Sequence, residues 1–292
     1  MVPEIPESYF EEETREGFTI SGKVKRSWAA QLKIVSLFAE VCDRHGLRWF
    51  AEYGTLLGTV RHRGYIPWDD DLDICMPRED YEKFLEIWKD EEYPGYILQN
   101  KRNTPSFTQT FSKIRKDHTT YLQYEWEKER YHTGIFVDIF PIDRAPVSFP
   151  QKTIFRWQCV KYLLYTREFV PPKASLLIKL ISRIILILST KDRRLKYREK
   201  FEKKLQELSI HNELPTTFIE VLDTIKKTYP IDLTDNYIEL SFEGKKYPCF
   251  AKWDKYLKTE YGNYMELPSE KDRVWKHNHL IIDFDHNYGE KS

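Results

Sequence analysis

The chain of 292 residues is long enough for one large domain, and its 41% hydrophobic and 32% charged residues exclude a disordered protein. Basic and acidic residues balance at 46 each, so net charge gives no reason to expect nucleic acid as a partner. The four cysteines are scattered without a CxxC pair, and the acidic N-terminus has no apolar signal segment. Reduced thiols and a cytoplasmic location are therefore expected.

Apolar spacing predicts alternating helices and strands in the first half of the chain. Over residues 27–45 apolar side chains recur every three to four positions, which predicts an amphipathic helix that Gly46 is suited to end. Residues 48–53 are rich in aromatic side chains and predict a strand, which Gly54 and Thr55 interrupt. The other predicted elements are a short helix at 56–62, strands at 71–76, 96–99, 108–115 and 135–140, and a helix at 78–90.

The second half of the chain is predicted to be mainly helical. Helices are expected between 150 and 208 and again over 248–260, whereas the pattern over 231–242 is ambiguous and residues after 261 look irregular. The elements together predict an α+β fold in which helices flank a small β-sheet core. The expected organisation is a single domain, 1–292, divided into a core at 20–145, a mainly helical region at 146–245 and a segment at 246–292 that returns to the core.

The most informative feature is an acidic cluster formed by Asp69, Asp70, Asp71 and Asp73. Carboxylates this close repel one another, and a fold that concentrates them usually balances them with a cation. On a strand, Asp71 and Asp73 would project from one face and grip one or two Mg²⁺ ions, with Asp69 joining from the preceding loop. Strand alternation predicts that Asp70 points away. An exposed acidic turn and a structural Ca²⁺ loop are the alternatives, although the glycine and distal glutamate of an EF-hand are missing.

A glycine-containing turn upstream of the cluster is a candidate phosphate site. Gly54 would let the backbone approach a phosphate closely, and a helix starting near Thr55 would offer N–H donors to it. Arg61 and His62, between this turn and the acidic cluster, would add cationic contacts to a diphosphate. Ordinary surface charge is the alternative for these two side chains.

Asp138 interrupts the apolar run 135–140. A buried carboxylate must be paired or bind a metal, because an isolated buried charge is costly. Asp138 is therefore a candidate third metal ligand, or the base that deprotonates an acceptor hydroxyl. A paired structural aspartate is the alternative.

These motifs together resemble the LicD family, whose pattern is shared by the fukutin-related proteins. The resemblance rests on 53–58 (YGTLLG), on Arg61 and His62, on 66–73 (IPWDDDLD), on 136–143 (FVDIFPID), and on a shorter C-terminal block at 261–265 (YGNYM) with Leu267, Pro268 and Arg273. It implies a nucleotidyltransferase-like fold with a small mixed β-sheet. The blocks span most of the chain, but the helical middle carries no matching motif.

The resemblance also implies a reaction. Members of the family transfer phosphocholine from CDP-choline, or a polyol phosphate from a CDP-polyol, to a glycan such as lipopolysaccharide or teichoic acid, and release CMP. By motif position, Asp69, Asp71 and Asp73 would bind Mg²⁺ or Mn²⁺, and Asp71, Asp73 and Asp138 would be catalytic. Gly54, Thr55, Arg61 and His62 would contact the substrate phosphates. The rival hypotheses are a nucleotidyltransferase that moves a nucleoside monophosphate and a non-catalytic glycan-binding protein of the same fold.

Residues 174–190 form the most apolar segment of the chain, interrupted only by Lys179 and Arg183. The segment is short for a membrane span, which needs about 20 apolar residues. Basic residues follow it at once, as in helices that lie in a membrane interface. Two hypotheses stay open: peripheral contact with the inner face of a membrane, and burial as a core helix. The first would suit a lipid-linked glycan acceptor.

Overall fold

A computed structural model describes residues 5–123, 127, 130–171, 175–275 and 281–289. Its helices and strands alternate through the first half of the chain, as the apolar spacing predicts. The elements of this half are strands β1 (Glu13–Arg15) and β2 (Phe18–Ile20), helix α1 (Gly22–His45), strand β3 (Phe50–Ala51), helix α2 (Tyr53–Arg61), strand β4 (Asp73–Pro77), helix α3 (Arg78–Asp90), and strands β5 (Tyr96–Gln99), β6 (Ser112–Lys116), β7 (Thr120–Leu122) and β8 (Phe136–Arg144).

The second half contains three long helices followed by shorter elements. These are helices α4 (Gln151–Arg167), α5 (Leu176–Leu188) and α6 (Lys191–Ser209), strands β9 (Thr216–Thr217), β10 (Tyr237–Phe242) and β11 (Lys245–Phe250), helix α7 (Trp253–Tyr261), and strand β12 (Ile281–Asp283). The predicted helix over 248–260 is wrong in its first residues, because Pro248 lies in β11 opposite Glu239. The C-terminal part is not wholly irregular, since β12 pairs with β7.

The central sheet has six strands in the order β3-β4-β8-β6-β5, with β9 paired to the end of β8. Only the β4–β8 pair is parallel among these pairings, so the sheet is mixed. Helices flank it, and the predicted α+β fold is confirmed. The main core is rich in aromatic side chains, with Trp28, Phe38 and Phe84 fully buried.

Helix α1 shows how local sequence sets this architecture. The side chain of Ser21 caps its N-terminus by accepting a hydrogen bond from the Val24 N–H, and Gly46 ends it in the left-handed conformation, with φ of 63°. Its buried stripe, which includes Trp28 and Phe38, packs on the sheet. The helix therefore begins five residues before the predicted start, because Ser21 supplies the cap.

Two predicted boundaries near the acidic cluster are wrong. Helix α2 already begins at Tyr53, so this residue does not extend the predicted strand 48–53, and Gly54 and Thr55 lie in the first turn of the helix. Strand β4 begins at Asp73, so Asp71 belongs to the loop that leads into the strand. The side-chain alternation of a strand consequently does not apply to residues 69–71.

Helix α5 is exposed almost all round. Leu176, Ile187 and Leu188 are 85%, 81% and 71% exposed, and Ser182 is its one buried residue. The hypothesis of a buried core helix is therefore wrong. Within the described residues, no helix is both long and apolar enough to cross a bilayer.

Candidate functional site

The central parallel strands bring distant carboxylates together. Strand β4 lies beside β8 with Asp73 directly opposite Asp138 in the register. The loop before β4 carries Asp69, Asp70 and Asp71 to the same edge of the sheet. All these aspartates are buried except Asp71, which is half-exposed. Asp71 is thus the member of the cluster that solvent and a ligand reach most directly.

The carboxylates of Asp69, Asp70 and Asp71 converge, with one oxygen from each lying within 4.8 Å of the other two. The expectation that Asp70 points away is wrong, because this residue precedes the strand. The Tyr121 hydroxyl donates a hydrogen bond to Asp70 Oδ2. From α1, the Gln31 side chain donates to the Asp70 carbonyl at 2.8 Å, so the loop is held from both sides.

The charges of the cluster act on one another strongly. The pKa of Asp73 is raised well above its usual range, first by burial and then by the charges of Asp71, Asp138 and Asp69. The ammonium of Lys113 opposes this rise. An acidic group whose ionisation is suppressed by its neighbours is typical of a site that gains from a bound cation.

Lys113 is the buried counter-charge of the site. Its Nζ donates to Asp138 Oδ1 at 2.6 Å and lies 3.4 Å from the centroid of the Phe136 ring. Burial lowers the pKa of this lysine, while the Asp138 carboxylate raises it. One lysine thus faces several acidic groups, and the described residues around it leave the site acidic.

Gly54 and Thr55 support the carboxylates directly. A Cβ atom on Gly54 would lie 2.7 Å from Asp69 Oδ2, so only glycine admits this close approach of the Asp69 carboxylate to α2. The Thr55 hydroxyl accepts a hydrogen bond from the Asp73 N–H at 2.8 Å and fixes the start of β4. The role of both residues in phosphate binding stays a prediction.

Arg61 and His62 lie at the other end of α2 and contact the two ends of the chain. The Arg61 guanidinium donates to the Tyr264 carbonyl at 2.7 Å, and its Nε donates to His62 Nε2 at 2.8 Å. The other ring nitrogen of His62 lies 3.1 Å from a Glu16 carboxylate oxygen. These contacts give both side chains a structural role, and their predicted contact with a diphosphate is untested.

Sequence reasoning missed Lys113 and Tyr121 as members of the site. The alternation of Lys113 and Arg115 around Ile114 was a signal for a strand with one polar face. No comparable signal marked Tyr121. Its place depends on the pairing of β7 with β12, in which Tyr121 lies opposite Ile282.

Glu52, immediately before α2, is a second missed feature. Its side chain is fully buried and accepts hydrogen bonds from the Tyr256 hydroxyl and from Cys75 Sγ. Burial raises the pKa of Glu52 from 4.5 to about 8. The folded protein therefore retains a proton at neutral pH that the unfolded chain releases.

Because the folded-state pKa of Glu52 is raised, its contribution to stability is complete below pH 4.5 and is lost as the pH rises to about 8. We expect Glu52→Gln, which stays neutral, to remove this loss. The difference in the free energy of unfolding between variant and wild type should grow by on the order of 4 kcal/mol across that range. Urea denaturation at a series of pH values measures this difference. If the free energy of unfolding depends on pH in the same way for both proteins, the raised pKa of Glu52 is contradicted.

The arrangement suits a hard divalent cation. Its donors are carboxylate oxygens, which Mg²⁺ and Mn²⁺ prefer, and three of them converge within a few ångströms. Such a site, at the edge of a small mixed sheet beside the N-terminus of α2, is consistent with the nucleotidyltransferase-like fold that the sequence motifs imply.

Comparison with known proteins agrees with this fold. Residues 46–176 match the family model described as LicD/FKTN/FKRP, nucleotidyltransferase domain. The chain is 26% identical over 265 residues to the lipopolysaccharide cholinephosphotransferase LicD of Haemophilus influenzae, with 84% of this chain and 92% of that protein covered. An uncharacterised protein of Rickettsia prowazekii is 32% identical over 133 residues, covering 44% of this chain and 46% of that protein.

Over residues 46–176 the chain is therefore similar to the LicD family, as the sequence motifs lead us to expect. The matched range contains the glycine turn, the acidic cluster, Lys113 and Asp138. The family and the cholinephosphotransferase relative together support a phosphotransferase.

Proposed function

We propose that this protein transfers phosphocholine from CDP-choline to a sugar hydroxyl of a cell-surface glycan of the lipopolysaccharide type, and releases CMP. The observation that carries the proposal is the similarity to a lipopolysaccharide cholinephosphotransferase over 92% of that protein's length. The converging carboxylates could hold a divalent cation, which would in turn bind the diphosphate of such a donor.

In the proposed reaction, Asp69, Asp70 and Asp71 would hold Mg²⁺ or Mn²⁺, and Asp73, which lies opposite Asp138 in the sheet, would add negative charge to the site. The bound cation would neutralise charge on the donor diphosphate and on the departing CMP. The sugar oxygen forms a bond to the phosphorus that bears choline, and the bond from that phosphorus to the CMP oxygen breaks. Asp138, positioned by Lys113, takes the proton of the sugar hydroxyl.

The proposal is tested by incubating the protein with Mg²⁺, a lipopolysaccharide acceptor and, in turn, CDP-choline, CDP-ribitol and CDP-glycerol. CMP release with CDP-choline, together with a choline-bearing glycan, is the expected result. If CMP is released only with a CDP-polyol, the transferred group is a polyol phosphate and not phosphocholine. Attachment of CMP to the glycan, with free phosphocholine as the other product, would instead support a nucleotidyltransferase. A protein that binds glycan but consumes none of the donors would support the non-catalytic hypothesis.

We propose that α5 lies on an anionic membrane surface, where a lipid-borne acceptor would be found. Trp157 on the adjacent helix α4 is also 70% exposed, and tryptophan favours the membrane–water interface. Lys191 and Arg193, directly after α5, are exposed and complement anionic headgroups. The exposed apolar side chains of α5 would be unfavourable in water, and exposed apolar patches of this kind mark interaction sites.

Binding to phosphatidylglycerol-containing vesicles is therefore expected in a flotation assay. Ile187→Ser should weaken it by at least about tenfold, because one buried isoleucine side chain contributes about 1.5–3 kcal/mol. Ile210→Ser is the matched control, since Ile210 is 73% exposed but lies beyond the end of α6. Equal vesicle binding by both variants would contradict the proposal. A concentration-dependent dimer without vesicle binding would show that a second copy covers α5.

A further inference from the structure

A large cavity lies outside the carboxylate site. It has a volume of about 1190 Å³ and is formed by the loop after β5, the C-terminal end of α4 and one face of α6 along most of its length. None of the aspartates of the candidate active site lines it. The mechanism proposed above makes no use of this cavity.

The cavity is lined predominantly by cations. Basic side chains outnumber acidic ones by seven to four. Two of the acids are already engaged: Glu202 accepts hydrogen bonds from Arg102 and the Tyr162 hydroxyl, and Glu168 lies 3.6 Å from Lys101. The remaining excess of positive charge favours an anionic ligand.

Arg198 identifies the binding position within the cavity. This arginine is only 8% exposed, yet its Nε and Nη1 atoms have no hydrogen-bond partner among the described residues. Arg78, which is equally buried, donates to both oxygens of Asp143 at 2.8 Å. Leaving buried guanidinium donors unsatisfied is costly, and such an arginine is typical of a site that awaits an anion.

We propose that the cavity binds a phosphate group through Arg198. A guanidinium presents its donors in a planar fork that matches phosphate oxygens, and Lys203, on the same face of α6, adds a second cation to the cavity. The cavity wall also includes Phe169 and Leu195, which are 40% and 45% exposed. An apolar rim of this kind suits a phosphate that carries an alkyl chain.

The cavity begins close to the end of α5. The guanidinium of Arg194 donates to the carbonyls of Leu186 and Ser189, which fixes the start of α6 against the end of α5. Lys191, in that first turn of α6, lines the cavity. The phosphate could therefore belong to a lipid held near α5 or to a soluble molecule, and the proposal holds whether or not choline is transferred.

Calorimetric titration with inorganic phosphate and with octyl phosphate tests the proposal. EDTA is included so that no divalent cation links phosphate to the carboxylate cluster. Both ligands should bind, and Arg198→Met should weaken each at least tenfold. Lys200→Met, on an exposed side chain of the same helix that does not line the cavity, should change neither. Absence of binding by wild type, or equal binding by Arg198→Met, would overturn the proposal.

Thermal unfolding separates a ligand site from a structural arginine. Without phosphate, Arg198→Met should raise the melting temperature, because it removes unsatisfied buried donors, and it should abolish the stabilisation by phosphate. A melting temperature lowered in both conditions would make Arg198 structural and overturn the proposal. Tighter binding of octyl phosphate than of inorganic phosphate would identify a lipid-borne source, and equal binding a soluble one.

Discussion

Replacement of Asp71 by asparagine is expected to lower the rate of phosphocholine transfer by about a thousandfold, the upper range for loss of one preorganised electrostatic contact. Asp71 is the half-exposed member of the converging carboxylates. Asparagine keeps its size and one oxygen but removes the charge that would hold a divalent cation. The measurement is CMP release from CDP-choline at saturating Mg²⁺, compared with that of wild type.

Asp235→Asn is the control for this prediction, because Asp235 is exposed and lies outside the cluster. It should retain full activity. The Asp71 variant should also melt at the wild-type temperature or above it in EDTA, since it removes like-charge repulsion from the cluster. An Asp71→Asn protein that is folded and fully active would refute the assignment of Asp71 to the reaction.

Substitution of Lys113 by methionine is expected to cost about 3 kcal/mol of stability in EDTA, because it leaves Asp138 and its neighbours as uncompensated buried charges. A divalent cation bound to the cluster would replace part of the missing positive charge. Mg²⁺ or Mn²⁺ should therefore stabilise Lys113→Met more than wild type. Denaturant titrations with and without the metal measure the difference.

Lys116→Met provides the matched control, since Lys116 ends the same strand but is half-exposed. It should lose little stability and respond to metal as wild type does. If the metal stabilises wild type, Lys113→Met and Lys116→Met equally, a bound cation does not replace the positive charge of Lys113. Lower activity of Lys113→Met at full metal saturation would further support its positioning of Asp138.

Many helices and strands could be predicted from the sequence, because the spacing of apolar residues within one element is a local property. Helix α3 and strand β5 have the predicted bounds, and the acidic cluster was recognisable from its composition. The direction of the Asp70 side chain was not predictable, because it depends on where β4 begins and on Tyr121. Lys113 reaches Asp138 only through the pairing of β6 with β8, which spacing along the chain does not reveal.

What covers the apolar side chains of α5 could not be predicted from the sequence, for a different reason. A helix with a broad apolar face has the same pattern whether protein or lipid covers that face, so periodicity left both hypotheses open. Exposure of Leu176, Ile187 and Leu188 in the folded chain decided against the core. Likewise, Arg198 is one basic residue in a charged helix, and only its burial without a partner distinguishes it.

The pairing of β7 with β12 has a consequence for biosynthesis. Ile282 pairs with Tyr121, whose hydroxyl holds Asp70, although the two residues are about 160 positions apart. At roughly 5–20 residues per second, a ribosome needs on the order of 10–30 s to extend the chain from one to the other. The nascent chain therefore exposes an incomplete acidic loop throughout that interval. The pairing of β7 with β12 can form only after Ile282 has left the ribosome.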